Sequence, residues 1–273
     1  MTRSLRWSAK PSPSAVTRSE CKERLHDLDD AVRDTCRKSD FVPRYPQYLA
    51  ILLMAHVCNR LSEDAECLLD EANDYRQAIW CGQGRSMTEI AERGRIPPFS
   101  TDDLQIFAFW MATGAGKTHV LHACLALLED SSSSGGRNFD RIVLIAPSES
   151  MSRQHAQELR SHTGNPVFVY PDDGDAFQIA HLPRETILVI DINKLREGKK
   201  GEGFTIDAKV FRDSRNLVFV DEGHKGQGSE DSVWKSIQSS IAGIGHPQRR
   251  YRGMLIEFSA TFGQDAEAAH AFD

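Results

Sequence analysis

Eight residues limit what this chain can fold into more than any others. Residues 111–118 read MATGAGKT, preceded by the apolar run QIFAFW and followed by the apolar segment HVLHACLALL. Strand, glycine loop and helix in that order give such a loop its meaning. Gly114 and Gly116 let the backbone curl until successive N–H groups point inward at phosphate oxygens, and the helix N-terminus adds the positive end of its dipole. Lys117 is then expected to reach the β- and γ-phosphates, and the Thr118 hydroxyl to sit on Mg²⁺. The general pattern GxxxxGK[ST] asks for glycine at 111. This chain has methionine there, so the match is to the variant xxTGxGKT. A chance TGxGKT at a strand–helix junction is the competing explanation, and the order of the flanking segments weighs against it.

The rest of the chain has the texture of a parallel α/β domain with a helical segment in front. After residue 100, apolar runs at 104–111, 142–146, 167–170, 186–190, 217–220 and 254–258 alternate with segments of crossover length. Such spacing predicts a mainly parallel sheet with helices on both faces. The SSSSGG at 131–136 is a loop between the first helix and the second strand of this domain. Upstream, Pro11 and Pro13 make residues 1–18 a tail. Ser19 caps a helix in which Cys21, Leu25, Leu28 and Val32 recur at helical spacing. Pro43 and Pro46 punctuate, and helices are expected at 48–61 and 64–80 before a glycine- and proline-rich joint. The expected organisation is a tail at 1–18, a helical extension at 19–100 and an α/β domain at 101–273.

Composition narrows the class of function. With 40% hydrophobic and 26% charged residues, the 273-residue chain is neither a disordered polymer nor a fibre. Its 33 basic and 39 acidic residues leave a net charge of −6, which lends no general support to polyanion binding, although a local groove can still hold phosphates. No apolar run approaches the roughly 18 residues of a membrane helix. The six cysteines include no CxxC pair, which predicts reduced thiols and a cytoplasmic location.

A phosphate loop used for hydrolysis needs one carboxylate for Mg²⁺ and another to position or deprotonate water. Two strand ends offer acids. LVID at 188–191 ends in the single Asp191, whereas LVFVDEGH at 217–224 ends in a tandem pair. Two jobs favour the tandem: Asp221 for Mg²⁺, Glu222 for the attacking water. Asp191 is expected to be a strand-terminal polar residue.

MATGAGKT, VDEGHKG at 220–226 and FSAT at 258–261 together resemble the first three ATPase signatures of superfamily 2 helicases and translocases. The nearest flavour is the helicase (Res) subunit of type III restriction enzymes and related phage-defence proteins, where methionine commonly opens the loop. DEGH looks like the family's DEAH with Gly223 in place of alanine. The resemblance covers about residues 104–262. It implies a RecA-like P-loop fold, an ATP site formed by Thr113, Gly114, Ala115, Gly116, Lys117 and Thr118, and Mg²⁺ held by Thr118 and Asp221. It also implies Lys117, Asp221 and Glu222 as catalytic residues, with His224, Ser259 and Thr261 coupling the nucleotide to motion. IVLIAPSESMSRQ at 142–154 and IDINKL at 190–195 resemble segments that touch the nucleic-acid backbone. The family's adenine-reading glutamine can only be Gln47, in RYPQ at 44–47, where a proline-rich turn is the plain alternative.

The resemblance implies ATP-dependent work on DNA, in duplex form, by a restriction or defence system. It also implies a second RecA-like half, which supplies an arginine finger and the other wall of both clefts. Only 12 residues follow Thr261 (273 − 261), so that half is expected from a partner subunit, or the chain is a truncated product with little turnover. Three other functions compete with this one. A nucleotide-dependent regulatory module without hydrolysis shares the binding site. A P-loop kinase fits poorly, because the tandem acids imply water as nucleophile. A nuclease built on Pro171, Asp172, Glu197 and Lys199 would place its metal-binding groups in the glycine-rich loop REGKKGEG, whereas that chemistry needs them on a rigid strand.

Overall fold

The computed structural model describes residues 18–82, 98–129, 139–196, 206–222, 240–244 and 253–260. Helices α1 (Arg18–Lys38), α2 (Tyr45–Glu63) and α3 (Ala65–Gly82) come first. Strand β1 (Ile106–Trp110) leads through the glycine loop into α4 (Lys117–Glu129). Then follow β2 (Arg141–Ala146), α5 (Glu149–His162), β3 (Val167–Tyr170), the single turn α6 (Ala176–Ile179) and β4 (Ile187–Asp191). A two-residue pair, β5 (Leu195–Arg196) and β6 (Ile206–Asp207), precedes β7 (Asn216–Asp221) and β8 (Met254–Ser259).

Six strands form one sheet in the order β1-β8-β7-β2-β4-β3, with every neighbouring pair parallel. The central strands β4 and β7 are buried at every position, as strands covered on both faces must be. Their side chains alternate between two cores. Leu217 and Phe219 of β7 join Ile142 and Leu144 of β2 and Phe258 of β8 in one; Val218, Val220, Val143, Ile145 and Leu255 face the other.

The first core also contains Val32 and Cys36 of α1, Ile51, Met54 and Cys58 of α2, and Leu121, Cys124 and Leu125 of α4. The helices at 18–63 are therefore built into the α/β core, and Cys58 Sγ lies 4.0 Å from Met254 Sδ of β8. Ser19 lies inside α1, which begins at Arg18, and does not cap it, and two further boundaries differ from the sequence expectation. Pro46 does not delay the second helix but sits in its first turn, where a missing N–H leaves no bond unmade. The run at 104–111 gives up its start to a short 3₁₀ turn, because the Asp103 carboxylate accepts from both the backbone N–H and the hydroxyl of Ser100, each at 2.6 Å.

Candidate nucleotide site

The glycine loop leaves the C-terminal end of β1 and is tied at its start to β8: Met111 N–H donates to Ser259 O at 3.0 Å. Met111 needs no glycine conformation, because its side chain packs half-buried against the helical core. Gly114 and Gly116 do need it, with φ of 77° and 80°. Beyond them Lys117 begins α4, so the loop's N–H groups and the helix dipole converge on one point.

That point opens into a cleft of ≈420 Å³ lined by Thr113, Gly114, Gly116, Lys117, Thr118, Asp221 and Glu222, with Pro147, Met151, Gln154 and Glu158 opposite. Asp221 and Glu222 reach it from the C-terminal end of β7. Lys117 Nζ is 3.0 Å from Glu222 Oε1, and both side chains are largely buried. Glu222 holds a φ of 53°, a left-handed conformation that residues other than glycine adopt at a cost and that clusters at functional sites. Asp221 is buried, and its Oδ2 accepts from His155 Nε2–H at 3.0 Å. A phosphate-sized anion in this cleft would meet backbone N–H groups, a helix N-terminus and an ammonium, with two carboxylates behind it.

A family model described as "Type III restriction enzyme, res subunit" matches residues 70–264. The chain belongs to that family. Its six-stranded, all-parallel sheet, with the glycine loop following the first strand, is the α/β architecture expected from the sequence. The crystal structure of the Pyrococcus furiosus Hef helicase domain aligns at 15% identity and a TM-score of 0.37, over 59% of this chain and 31% of that one. The crystal structure of the DUF1998 helicase MrfA aligns at 13% identity and a TM-score of 0.40, over 67% of this chain and 30% of that one. This res-family chain thus spans about a third of the length of those structures. No curated protein matches it.

Gln47 of the res-family chain lies against the loop although 68 positions separate it from Ala115. Its Nε2 donates to Ala115 O and its Oε1 accepts from Arg44 N–H, both at 2.7 Å. A second hollow of ≈510 Å³, lined by Phe41, Val42, Arg44, Gln47 and His119, adjoins the glycine loop through Gly114 and Gly116. Phe41 stacks on His119 at 5.3 Å between ring centroids. Asp191 stays out of the cleft lining: its Oδ1 caps a turn by accepting from Asn193 N and Nδ2 at 2.9 and 2.8 Å. Ser259 is buried beside the loop, whereas His224 and Thr261 lie outside the described residues.

The segments at 142–154 and 190–195 meet, joined by Lys194 Nζ to Glu149 Oε1 at 2.9 Å. Asp172 of the nuclease pattern is held in a two-pronged pair by Arg153, at 2.6 and 3.1 Å, which keeps its carboxyl below the usual range. Glu197 and Lys199 of that pattern lie outside the described residues. Sequence reasoning stopped at Gln154 and missed His155 next to it. Its signal was weak: one histidine on the buried Ser152–Ala156–Leu159 face of α5, with its partners on other elements. No helix among the described residues is long and apolar enough to cross a membrane.

Proposed function

We propose that this chain is the ATP-binding half of an ATP-dependent DNA helicase or translocase, working in restriction or phage defence. The carrying observation is the convergence of Lys117, Asp221 and Glu222 in one cleft beneath the Gly114–Gly116 loop. In this reading the loop N–H groups and Lys117 hold the triphosphate. The Thr118 hydroxyl and the Asp221 oxygen left over from His155 would hold Mg²⁺, an arrangement the donor set fits: two hard oxygens beside a phosphate site. Mg²⁺ held by these residues would supply positive charge against the triphosphate. Glu222, once released from Lys117, orients the attacking water and accepts its proton.

The base then falls in the hollow beside Phe41 and Gln47. One N–H and one lone pair of the Gln47 amide are not used by Ala115 and Arg44, and these complement adenine N7 and N6–H₂. Duplex DNA would run along Ser148, Ser150, Asn193 and Lys194 at the meeting of the two joined segments. A second RecA-like half would close over both the nucleotide and the DNA. In favour of that need, no arginine among the described residues lines the cleft.

The test is calorimetric titration of the purified chain with Mg·ATP. Wild type binds, and Lys117→Ala loses at least about tenfold in affinity, as expected when a charge-assisted contact to phosphate is removed. Equal affinity for the two proteins would remove the site assignment.

A further inference from the structure

Behind Asp221 lies a buried chain of side chains that the proposed ATP chemistry does not use. His155, on α5, is fully buried. Its Nε2 is 3.0 Å from Asp221 Oδ2, and its Nδ1 is 3.0 Å from His122 Nε2 on α4. The His122 Nδ1 faces Glu158 Oε2 at 3.5 Å. The two imidazoles meet edge to face, with centroids 5.2 Å apart. Three elements that form the cleft, α4, α5 and β7, are therefore stitched together at a carboxylate.

The chemistry of the contacts selects one tautomer. A carboxylate only accepts, so His155 carries a hydrogen on Nε2, and in the neutral ring its Nδ1 then accepts. His122 must then donate from Nε2. The opposite arrangement would set a lone pair of His155 against Asp221 at 3.0 Å, whereas this one leaves the poorer contact at the longer 3.5 Å to Glu158. Burial, with help from neighbouring imidazoles, pushes His122 down to about 3, so it is neutral and its contact with Glu158 is not an ion pair. An N–H donated by His122 to Nδ1 is compatible only with the Nε2–H form of His155, so His122 reinforces the tautomer that Asp221 requires, and His155 holds the Asp221 carboxylate.

We infer that His155 is a positioning residue for Asp221: it fixes Oδ2 from the buried side and so aims Oδ1 at the Mg²⁺ position, with His122 as its tautomer lock. The inference rests on reading the cleft as a Mg·ATP site. With Oδ2 held, one carboxylate oxygen has no protein donor among the described residues and faces the cleft that Asp221 lines. Without the imidazole, Oδ2 loses its donor and the carboxylate is free to rotate, so neither oxygen is aimed at the Mg²⁺ position. Outer partners of this kind typically change metal affinity about 10- to 100-fold when removed.

Two substitutions separate positioning from packing. The amide of glutamine ends near where imidazole Nε2 lies, and that of asparagine near Nδ1. His155→Gln keeps the donor to Asp221; His155→Asn keeps a polar group in the same place but withdraws the donor. The probe is a fluorescent ATP analogue, titrated without metal and then with Mg²⁺ at fixed nucleotide. We expect His155→Asn to raise the half-saturating Mg²⁺ concentration at least about tenfold with metal-free affinity unchanged, and His155→Gln to stay within about threefold of wild type. His122→Phe, which removes the lock but leaves His155, is expected to raise the Mg²⁺ midpoint about three- to tenfold, and it carries the test if His155→Asn fails to fold. An unchanged Mg²⁺ midpoint in the folded Asn or Phe variant overturns the inference. So does an equal loss of metal-free and Mg²⁺-dependent binding, which would mean that His155 only packs. A wild-type chain that binds no nucleotide brings down the cleft assignment itself, and that result is visible before any histidine is changed.

Discussion

Lys117 Nζ and Glu222 Oε1 are 3.0 Å apart in the cleft beneath the glycine loop, so in the proposed reading each occupies the other's working position. The lysine that should meet phosphate is neutralised by the carboxylate that should meet water. In the proposed reading ATP would break this pair on entry, because a triphosphate offers an ammonium several charged oxygens, and Glu222 would be released with its left-handed backbone beside the γ-phosphate.

Glu222→Gln should therefore do two opposite things. It removes the competitor for Lys117, and Mg·ATP affinity should rise at least about twofold, because a largely buried carboxylate neutralises the lysine more than an exposed one, whose pairing is worth ~0.2–1 kcal/mol. It also removes the base, so any hydrolysis should vanish. Titration calorimetry and single-turnover hydrolysis read the two effects. A fall in affinity would show that the ion pair helps to build the site instead of guarding it.

Gly114 and Gly116 share a positive φ but not a neighbourhood. A Cβ at 114 would meet nothing within 4 Å, whereas one at 116 would lie 2.4 Å from Gln47 Nε2. Gly114→Ala should therefore cost only the backbone strain, about 1 kcal/mol, in urea unfolding. Gly116→Ala adds the displacement of Gln47 from Ala115 and should weaken nucleotide binding further. A Gly116→Ala, Gln47→Ala double variant relieves the clash and should recover part of the lost stability. If the two single variants are equally stable, Gln47 does not press on the loop in solution.

The sheet was legible because a buried parallel strand must be nearly all apolar, and runs such as LVID and LVFVD stand out against charged crossovers. The glycine loop was legible because its chemistry is local: two glycines, a lysine and a threonine are consecutive. Gln47 was only half legible. RYPQ suits a turn as well as a base-reading site, and its place against the glycine loop depends on α2 packing along α4, a contact between residues far apart in sequence. His122 and His155 could not be found at all. They lie 33 positions apart on two helices, and each alone resembles an ordinary histidine on a packed helix face.

His122 gives the fold a measurable acid sensitivity. Its ring is surrounded by His119 on its own helix, by His155, Glu158 and His162 from α5, and by Asp221 beyond. Burial holds it neutral down to about 3 from an ordinary 6.5. Between those values the unfolded chain takes up a proton that the folded chain refuses. The stabilisation is thus complete above about pH 6.5 and is lost progressively as pH falls towards 3. Urea unfolding at pH 6.5 and 5 should show wild type losing about 1–2 kcal/mol more than His122→Gln, which cannot titrate. Equal losses would mean that the imidazole is protonated inside the folded protein.

The cleft's cations set the last expectation. Lys117 is there, but no arginine among the described residues lines it. An arginine placed against the transferring phosphoryl group is worth about 10³ to 10⁵ in rate, and it acts only when a second surface closes over the nucleotide. The 273-residue chain should bind Mg·ATP yet hydrolyse it barely above background. Duplex DNA should stimulate it little, and DNA affinity should fall steeply with salt, because one wall of phosphate contacts is mostly electrostatic. The measurement is steady-state phosphate release, with and without DNA, then with a separately expressed second RecA-like half from a res-family protein. Stimulation by that half, abolished by Glu222→Gln in this chain, would place catalysis at the joint between the two. Robust DNA-stimulated turnover by the chain alone would mean that the missing charge comes from within it or from a second copy, and the need for a second half would fall away.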